Sequence, residues 1–236
     1  MKNIHPTAIV NPDAKLGENI SVGPYAIIEA DVEIGNDCII GPHAVLYSGS
    51  RIGNRVKISQ GASVANLPQA TLHRGTKETG KSQVGKNCLL MAYSHIPHDC
   101  VVGDNCIIAN AVQIGGHSHI EDWVIIGGLA GLHQFSRVGE HSMIAGAAKI
   151  TQDVPPYILA VNDPAEFGGL NVVGLRRRGF KAADIQTLKE AYKYLYDKSL
   201  NVSQAVEIIE SKFGNNIYVK KLLNFLSGTK RGIVGK

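Results

Sequence analysis

The sequence predicts a mainly β protein, a parallel β-helix of hexapeptide repeats followed by a small C-terminal α-helical domain. Three observations predict it. An aliphatic residue recurs at every sixth position, a small or β-branched residue usually follows it four places on, and the spacing turns helical after Pro155-Pro156. A period of six suits neither a helix, whose faces recur near 3.6, nor simple strand alternation. It suits a solenoid in which each hexad is a short strand plus a turn and three hexads close one triangular coil.

The first run of hexads starts at Ile4 and continues through Val10, Leu16, Val22, Ile28, Ile34, Ile40, Leu46, Ile52 and Ile58 to Val64. The aliphatic side chain points into the prism, and the small residue, as at Ala26, Cys38 or Ala44, points in near a corner. Stacked coils pair backbone to backbone, about 4.8 Å apart. The register breaks between Val64 and Val84. "ANLPQAT" adds two residues to the frame, Leu72 begins one more hexad, and "KETGKSQ" reads as a polar loop leaving a corner. Loops that leave a regular scaffold often carry function. The second run goes from Val84 through Leu90, Ile96, Val102, Ile108, Ile114, Ile120, Ile126, Leu132, Val138 and Ile144 to Ile150.

The reading divides the chain into a β-helix over 1–156, with its register break at 65–83, and a helical domain over 157–236. In the latter, Ile185, Leu188, Ala191, Tyr192 and Leu195 follow helical spacing, as do Val202, Ala205, Ile208 and Ile209, and then Val219, Leu222, Leu223 and Leu226. Two or three such helices are expected to cap the open strand edge at the end of the solenoid.

The formal net charge of +4 is unevenly placed. From Leu175 onward there are 13 Lys/Arg against 5 Asp/Glu, which points to an acidic partner or substrate. No recognition motif or aromatic interleaving supports nucleic acid. No apolar run reads as a signal peptide or reaches the ~20 residues of a membrane span. The four cysteines have no CxxC spacing, and Cys88 and Cys106 occupy the same small inward slot, so they read as core thiols of a cytoplasmic protein.

The repeat also supplies spatial information, because residues 18 apart occupy one edge of neighbouring coils. His98 in "SHIPHDC" stacks under Gly116 and then Gln134, with Asp99, His117 and His133 beside them; His95 is close by, and His73 of "TLHRGT" extends the column downward. His5, His43 and His141 read as solvated surface residues. Three roles stay open for the column. Imidazoles of adjacent coils can hold zinc. His98 can act as a general base oriented by Asp99, while the Gly116 amide, which no Cβ shields, stabilises an oxyanion. The same residues can also form a structural polar ladder between subunits.

The segments "HPTAIV", "TLHRGT", "NCLLMAYSHIPHDC", "IIGGLAGLHQF", "QDVPPY" and "GLRRRGF" resemble the UDP-N-acetylglucosamine acyltransferases of lipid A biosynthesis, over nearly the whole chain. The resemblance implies a homotrimer of left-handed β-helices with active sites between subunits. It implies transfer of a 3-hydroxyacyl chain from acyl carrier protein to the 3-hydroxyl of UDP-N-acetylglucosamine, with no metal and no cofactor beyond the donor's phosphopantetheine thioester. His98 would be the base, Asp99 its helper and Gly116 the oxyanion donor. His73, His95, His117, His133, Gln134 and Gln69 would bind substrate, Asn171 and Arg177 would contact the nucleotide, and Gly146 would set the acyl-chain length, glycine leaving a long groove. "LRRRGF" and the following lysines would receive the acidic carrier protein. After Gln69 the family pattern carries roughly one coil and its loop that are missing here, and Val173 replaces an acidic residue. An N-acyltransferase using a 3-amino sugar and a non-catalytic shortened paralogue that binds carrier protein or sugar nucleotide are the competing readings.

Overall fold

The computed structural model describes residues 2–66 and 80–236. Every described inward aliphatic of the two runs lies in a short strand, and the strands form three sheets of ten, eight and seven members, parallel throughout except for the last strand of the largest. The first face carries Val22, Ile40, Ile58, Leu90, Ile108, Ile126 and Ile144. The second carries Val10, Ile28, Leu46, Val64, Ile96, Ile114, Leu132 and Ile150, and the third Leu16, Ile34, Ile52, Val84, Val102, Ile120 and Val138. Partners across the ladder are 18 residues apart, as in Lys57 with Ile39 and Val101 with His119. The prism interior is a column of aliphatic side chains, with Ile28, Leu46, Ile58, Leu90, Ile108 and Ile126 essentially inaccessible to solvent.

Most corners place a residue three past the aliphatic one in the left-handed region, among them Asn19 at φ 52°, Asp37 at 58°, Asp99 at 56° and His117 at 58°. That conformation is costly for residues with a Cβ. The ladder offsets the cost, because the same residue donates its amide to the coil before it: Asp37 to Glu18 O, Arg55 to Asn36 O, and His117 to His98 O at 3.2 Å. The small slot beside the corner is filled by Ala26, Ala44 and Ala62 and by all four cysteines, which are buried and free. Their thiols donate to backbone carbonyls, Cys88 to Gly103 O at 3.1 Å and Cys106 to Glu121 O at 3.2 Å, and burial pushes the Cys100 thiol up to about 12.

The break in the repeat proves to be an insertion at one corner. Ser63 pairs with His95, 32 residues on, and Arg51 pairs with Gln83, where regular coils keep 18. Val64 and Val84 therefore fill consecutive faces of one coil. Leu72, expected to begin a further hexad, falls outside the described residues.

Beyond Pro156 the ladder continues: Ile158–Val161 pairs in parallel with the strand Met143–Ile144, and Glu166–Leu170 folds back on it antiparallel. Four helices follow, α1 (Val172–Arg177), α2 (Ala182–Leu195), α3 (Val202–Phe213) and α4 (Ile217–Ser227). Three begin at asparagine caps: Asn171, Asn201 with Gln204 in a reciprocal capping box, and Asn216. α2, α3 and α4 pack on one another through Leu188, Ala191, Ile209 and Leu222, all buried. The C-terminal segment then returns to the solenoid, where Asp153 bridges Ile233 and Val234 N donates to Asp153 O at 3.0 Å. None of the described helices is long and apolar enough to cross a membrane.

Ile126→Ala removes a fully enclosed side chain from the middle of the column. It is expected to destabilise the protein by about 2–5 kcal/mol, measured by urea unfolding.

Candidate functional site

The second–third edge of the prism brings together two features that the sequence keeps apart. The 65–80 insertion returns there, and directly above its return lie His98 and Asp99, in the turn between strands His95–Pro97 and Val101–Val102. Asp99 is almost wholly buried. Its Oδ2 lies 2.8 Å from His98 Nδ1, and its Oδ1 accepts from Gly80 N at 3.1 Å. The carboxylate thus fixes the imidazole by one oxygen and the end of the inserted segment by the other. A carboxylate on Nδ1 holds the proton there and leaves Nε2 as the basic atom.

Gly116 sits one coil above. A Cβ built on it would lie 2.6 Å from both Nε2 and Cε1 of His98, so the ring rests on bare backbone. At the equivalent turn position of the third–first edge, the amides of Glu18, Lys86 and Asp104 are taken by an Asn or Asp side chain of the next coil. The coil above Gly116 offers Gln134 instead, and the Gly116 amide has no acceptor among the described residues. A basic nitrogen and an unused N–H consequently face one small volume.

Around this pair, His117 places Nε2 3.7 Å from Asp99 Oδ2 and packs edge-on to His98, with ring centroids 5.0 Å apart. Phe135, one coil higher, stacks on His117 at 4.6 Å. His95 projects from the second face, half-buried, with Nδ1 3.0 Å from Ser63 Oγ; burial first, and then His98, lowers its pKa. His133 and Gln134 are exposed at the upper end, the former with Nδ1 3.0 Å from Gln134 O. Gln69 and His73 lie outside the described residues. His98, Asp99 and His117 also place one potential ligand atom each within 4.8 Å of one another, a donor set that a divalent cation could use. Both oxygens of the carboxylate in that set already accept hydrogen bonds.

The remaining candidates stand elsewhere. Gly146 lies in the turn between the strands Met143–Ile144 and Lys149–Ile150, on the first–second edge. A Cβ there would meet only Gly128 O, at 3.3 Å, so a larger residue needs that backbone to give by a few tenths of an ångström and otherwise finds open space. Asn171 and Arg177 belong to the third–first edge. Asn171 is buried and both polar atoms of its side chain have partners within the fold, Oδ1 accepting from Gly174 N and Nδ2 donating to His141 O. Arg177 is exposed on α1. The neighbouring Arg178, read from the sequence only as part of the basic cluster, is the one engaged, 3.2 Å from His141 Nδ1 and over the Trp123 ring at 5.3 Å.

His141 departs from the expectation of a solvated histidine. It lies between Trp123 and Tyr157, edge-on to Phe180, and burial pushes its pKa down to about 4. Its 18-residue spacing from Trp123 was available in the sequence, but the contribution of Phe180 was not. The described candidate residues thus occupy all three edges, and among them only the His98 group converges within one chain.

Two kinds of family profile match. Hexapeptide transferase repeats cover residues 13–48, 31–66 and 81–116, and a profile described as UDP N-acetylglucosamine O-acyltransferase, domain 2, covers 153–234. The acyl-[acyl-carrier-protein]–UDP-N-acetylglucosamine O-acyltransferase of Burkholderia mallei is 46% identical over 261 aligned positions, covering 99% of this chain and 100% of the relative. The chain belongs to this family. Among solved structures, the UDP-N-acetylglucosamine acyltransferase of Bacteroides fragilis superposes with a TM-score of 0.86 at 34% identity, covering 98% of this chain and 99% of the other. That of Campylobacter jejuni gives 0.84 at 30% identity, covering 99% and 100%. The 261 aligned positions exceed the 236 residues of this chain by 25, in keeping with the expected absence of about one coil and its loop.

Gly116→Ala is expected to drive the His98 ring back by about 1 Å, to the ~3.5 Å of ordinary contact, and off Asp99. A crystal structure of the variant checks this; an unmoved ring would mean that the contact is looser than described.

Proposed function

We propose that this chain transfers a 3-hydroxyacyl group from acyl carrier protein to the 3-hydroxyl of UDP-N-acetylglucosamine, the first step of lipid A biosynthesis, with His98 as general base. The observation that carries the mechanism is the contact of the His98 ring with the Gly116 backbone, with Asp99 on the far nitrogen. In this reading Nε2 removes the proton of the sugar hydroxyl as its oxygen attacks the thioester carbonyl carbon. The carbonyl oxygen becomes an oxyanion and accepts from Gly116 N–H. Collapse breaks the carbon–sulfur bond, and the imidazolium returns its proton to the phosphopantetheine thiolate, leaving an ester and a free thiol. Asp99 steadies the imidazolium between the two transfers. A base of this kind typically supplies 10²–10⁴-fold in rate, and one oxyanion donor about 10²–10³-fold.

The proposal includes a homotrimer with each site shared between chains. The placement of the candidates supports it, since Gly146 cannot reach the acyl group at His98 from a different edge of the same prism. The first–second edge that carries Gly146 also exposes Tyr25, Tyr93 and Leu129, an apolar strip of the sort a partner covers. Packing that edge against the second–third edge of a neighbour puts the length-setting glycine opposite the base. The basic C-terminal region, including exposed Arg176 and Arg177, supplies the surface for the acidic carrier protein.

His98→Ala is expected to lower kcat by about 10³-fold or more, with product followed by mass. Co-expressed with a Gly146→Met chain and assayed with a long-chain donor that the Gly146→Met protein uses poorly, it should regain activity, because mixed trimers contain sites with intact His98 from one chain and intact Gly146 from the other. Mixed trimers without recovery would end the shared-site reading. Gly146→Met should shift the preferred donor to a shorter acyl chain, read as the ratio of kcat/KM across carrier proteins of several chain lengths.

A further inference from the structure

A groove of about 620 Å³ opens beside His117 and runs over the third face to the turn after α4. Its lining carries three permanent cations, Arg137, Lys230 and Arg231, against one carboxylate, Asp153. Asp153 is buried and already used: it accepts from Arg137 N at 3.0 Å and lies 3.9 Å from the Arg137 guanidinium. Arg137 is also held by Phe225, donating to its carbonyl at 3.1 Å and lying over its ring at 4.2 Å. The charges of Lys230 and Arg231 are the less engaged, although that of Arg231 also acts on Asp153. Lys230 is exposed and has no ion-pair partner among the described residues, and Arg231 spends one donor on Gln134 O, at 3.2 Å.

These two cations are not on a fraying end. The backbone just beyond them is tied to the solenoid, with Asp153 N donating to Gly232 O at 3.1 Å and Val234 N to Asp153 O at 3.0 Å. The tie sets them against the same edge as His98, one end of the groove being His117 and the stacked Phe135. Guanidinium and ammonium groups on a fixed backbone, with an aromatic wall, suit a phosphate on an organic arm.

We infer that this groove is a phosphate subsite, in which Lys230 and Arg231 hold a phosphate of one substrate while its reacting end lies at His98. The inference rests on the acyl-transfer reading, in which both substrates carry the group: a phosphodiester in the pantetheine arm and a diphosphate in the sugar nucleotide.

The test compares wild type with Lys230→Ala, Arg231→Ala, the double variant and Arg231→Lys. The KM of each substrate is measured alongside calorimetric binding of inorganic pyrophosphate to the intact protein at low salt. Pyrophosphate affinity should fall about 10-fold or more in the double variant, and the KM of one substrate should rise about as much, with the loss falling on KM and partial recovery in Arg231→Lys. The substrate whose KM rises identifies the source of the phosphate. If it is the donor, an acyl-phosphopantetheine without carrier protein must show the same rise; an effect confined to the full carrier protein overturns the subsite in favour of contact with that protein's acidic surface. Unchanged pyrophosphate binding together with two unchanged KM values also overturns it. If the wild type transfers no acyl group yet binds pyrophosphate through these two side chains, the proposed function falls and the subsite stands.

Discussion

The parallel hydrogen-bond ladder between coils is the constraint on which the rest of this molecule depends. Each coil has no second layer to lean on, so its backbone groups must pair with the coils before and after it. That requirement holds the spacing at 18 residues and converts a position in the sequence into a height and an edge in space. It also explains why the corners tolerate left-handed residues as large as Tyr25, Trp123 and Phe135. The amide of each donates to the preceding coil, and the side chain projects outward, where volume is unrestricted. Inside the prism there is no such freedom, hence the alternation of a branched aliphatic with alanine, cysteine or valine.

The candidate site shows what this geometry offers chemistry. Two residues adjacent in sequence and a third one coil away bring an imidazole, the carboxylate bonded to it and an amide without an acceptor among the described residues into one small volume. The backbone of Gly116 is held by the ladder, Phe135 N donating to its carbonyl. The buried carboxylate of Asp99 has a second duty, accepting from Gly80 where the inserted segment rejoins the coil. The insertion is tolerated because it leaves and re-enters at a corner, so the faces on either side stay in register.

The C-terminal region does more than close the solenoid. α1 lays Arg178 across an aromatic column made by Trp123, His141 and Tyr157, and the segment after α4 comes back to touch Gln134, 97 residues away in sequence. The charge asymmetry of the chain thereby acquires a location. Part of the positive excess faces outward on α1, and part is folded back against the edge that carries His98.

The sequence by itself determined the coil, its three faces, the inward column and the stacking of His98, Asp99, Gly116, His117 and Gln134, because equal-length coils bonded to their neighbours make spacing equivalent to position. It also announced helices through the spacing of Ile185, Leu188, Tyr192 and Leu195. It did not disclose that Val64 and Val84 are consecutive in one coil or that Asn171 spends its side chain on a helix cap. Nor did it disclose that His141 is enclosed by Phe180, or that Asn171 stands on a different edge from His98. Those features were decided by tertiary structure, since they arise where the period stops and chain segments meet through side-chain packing over long separations, which no repeat encodes.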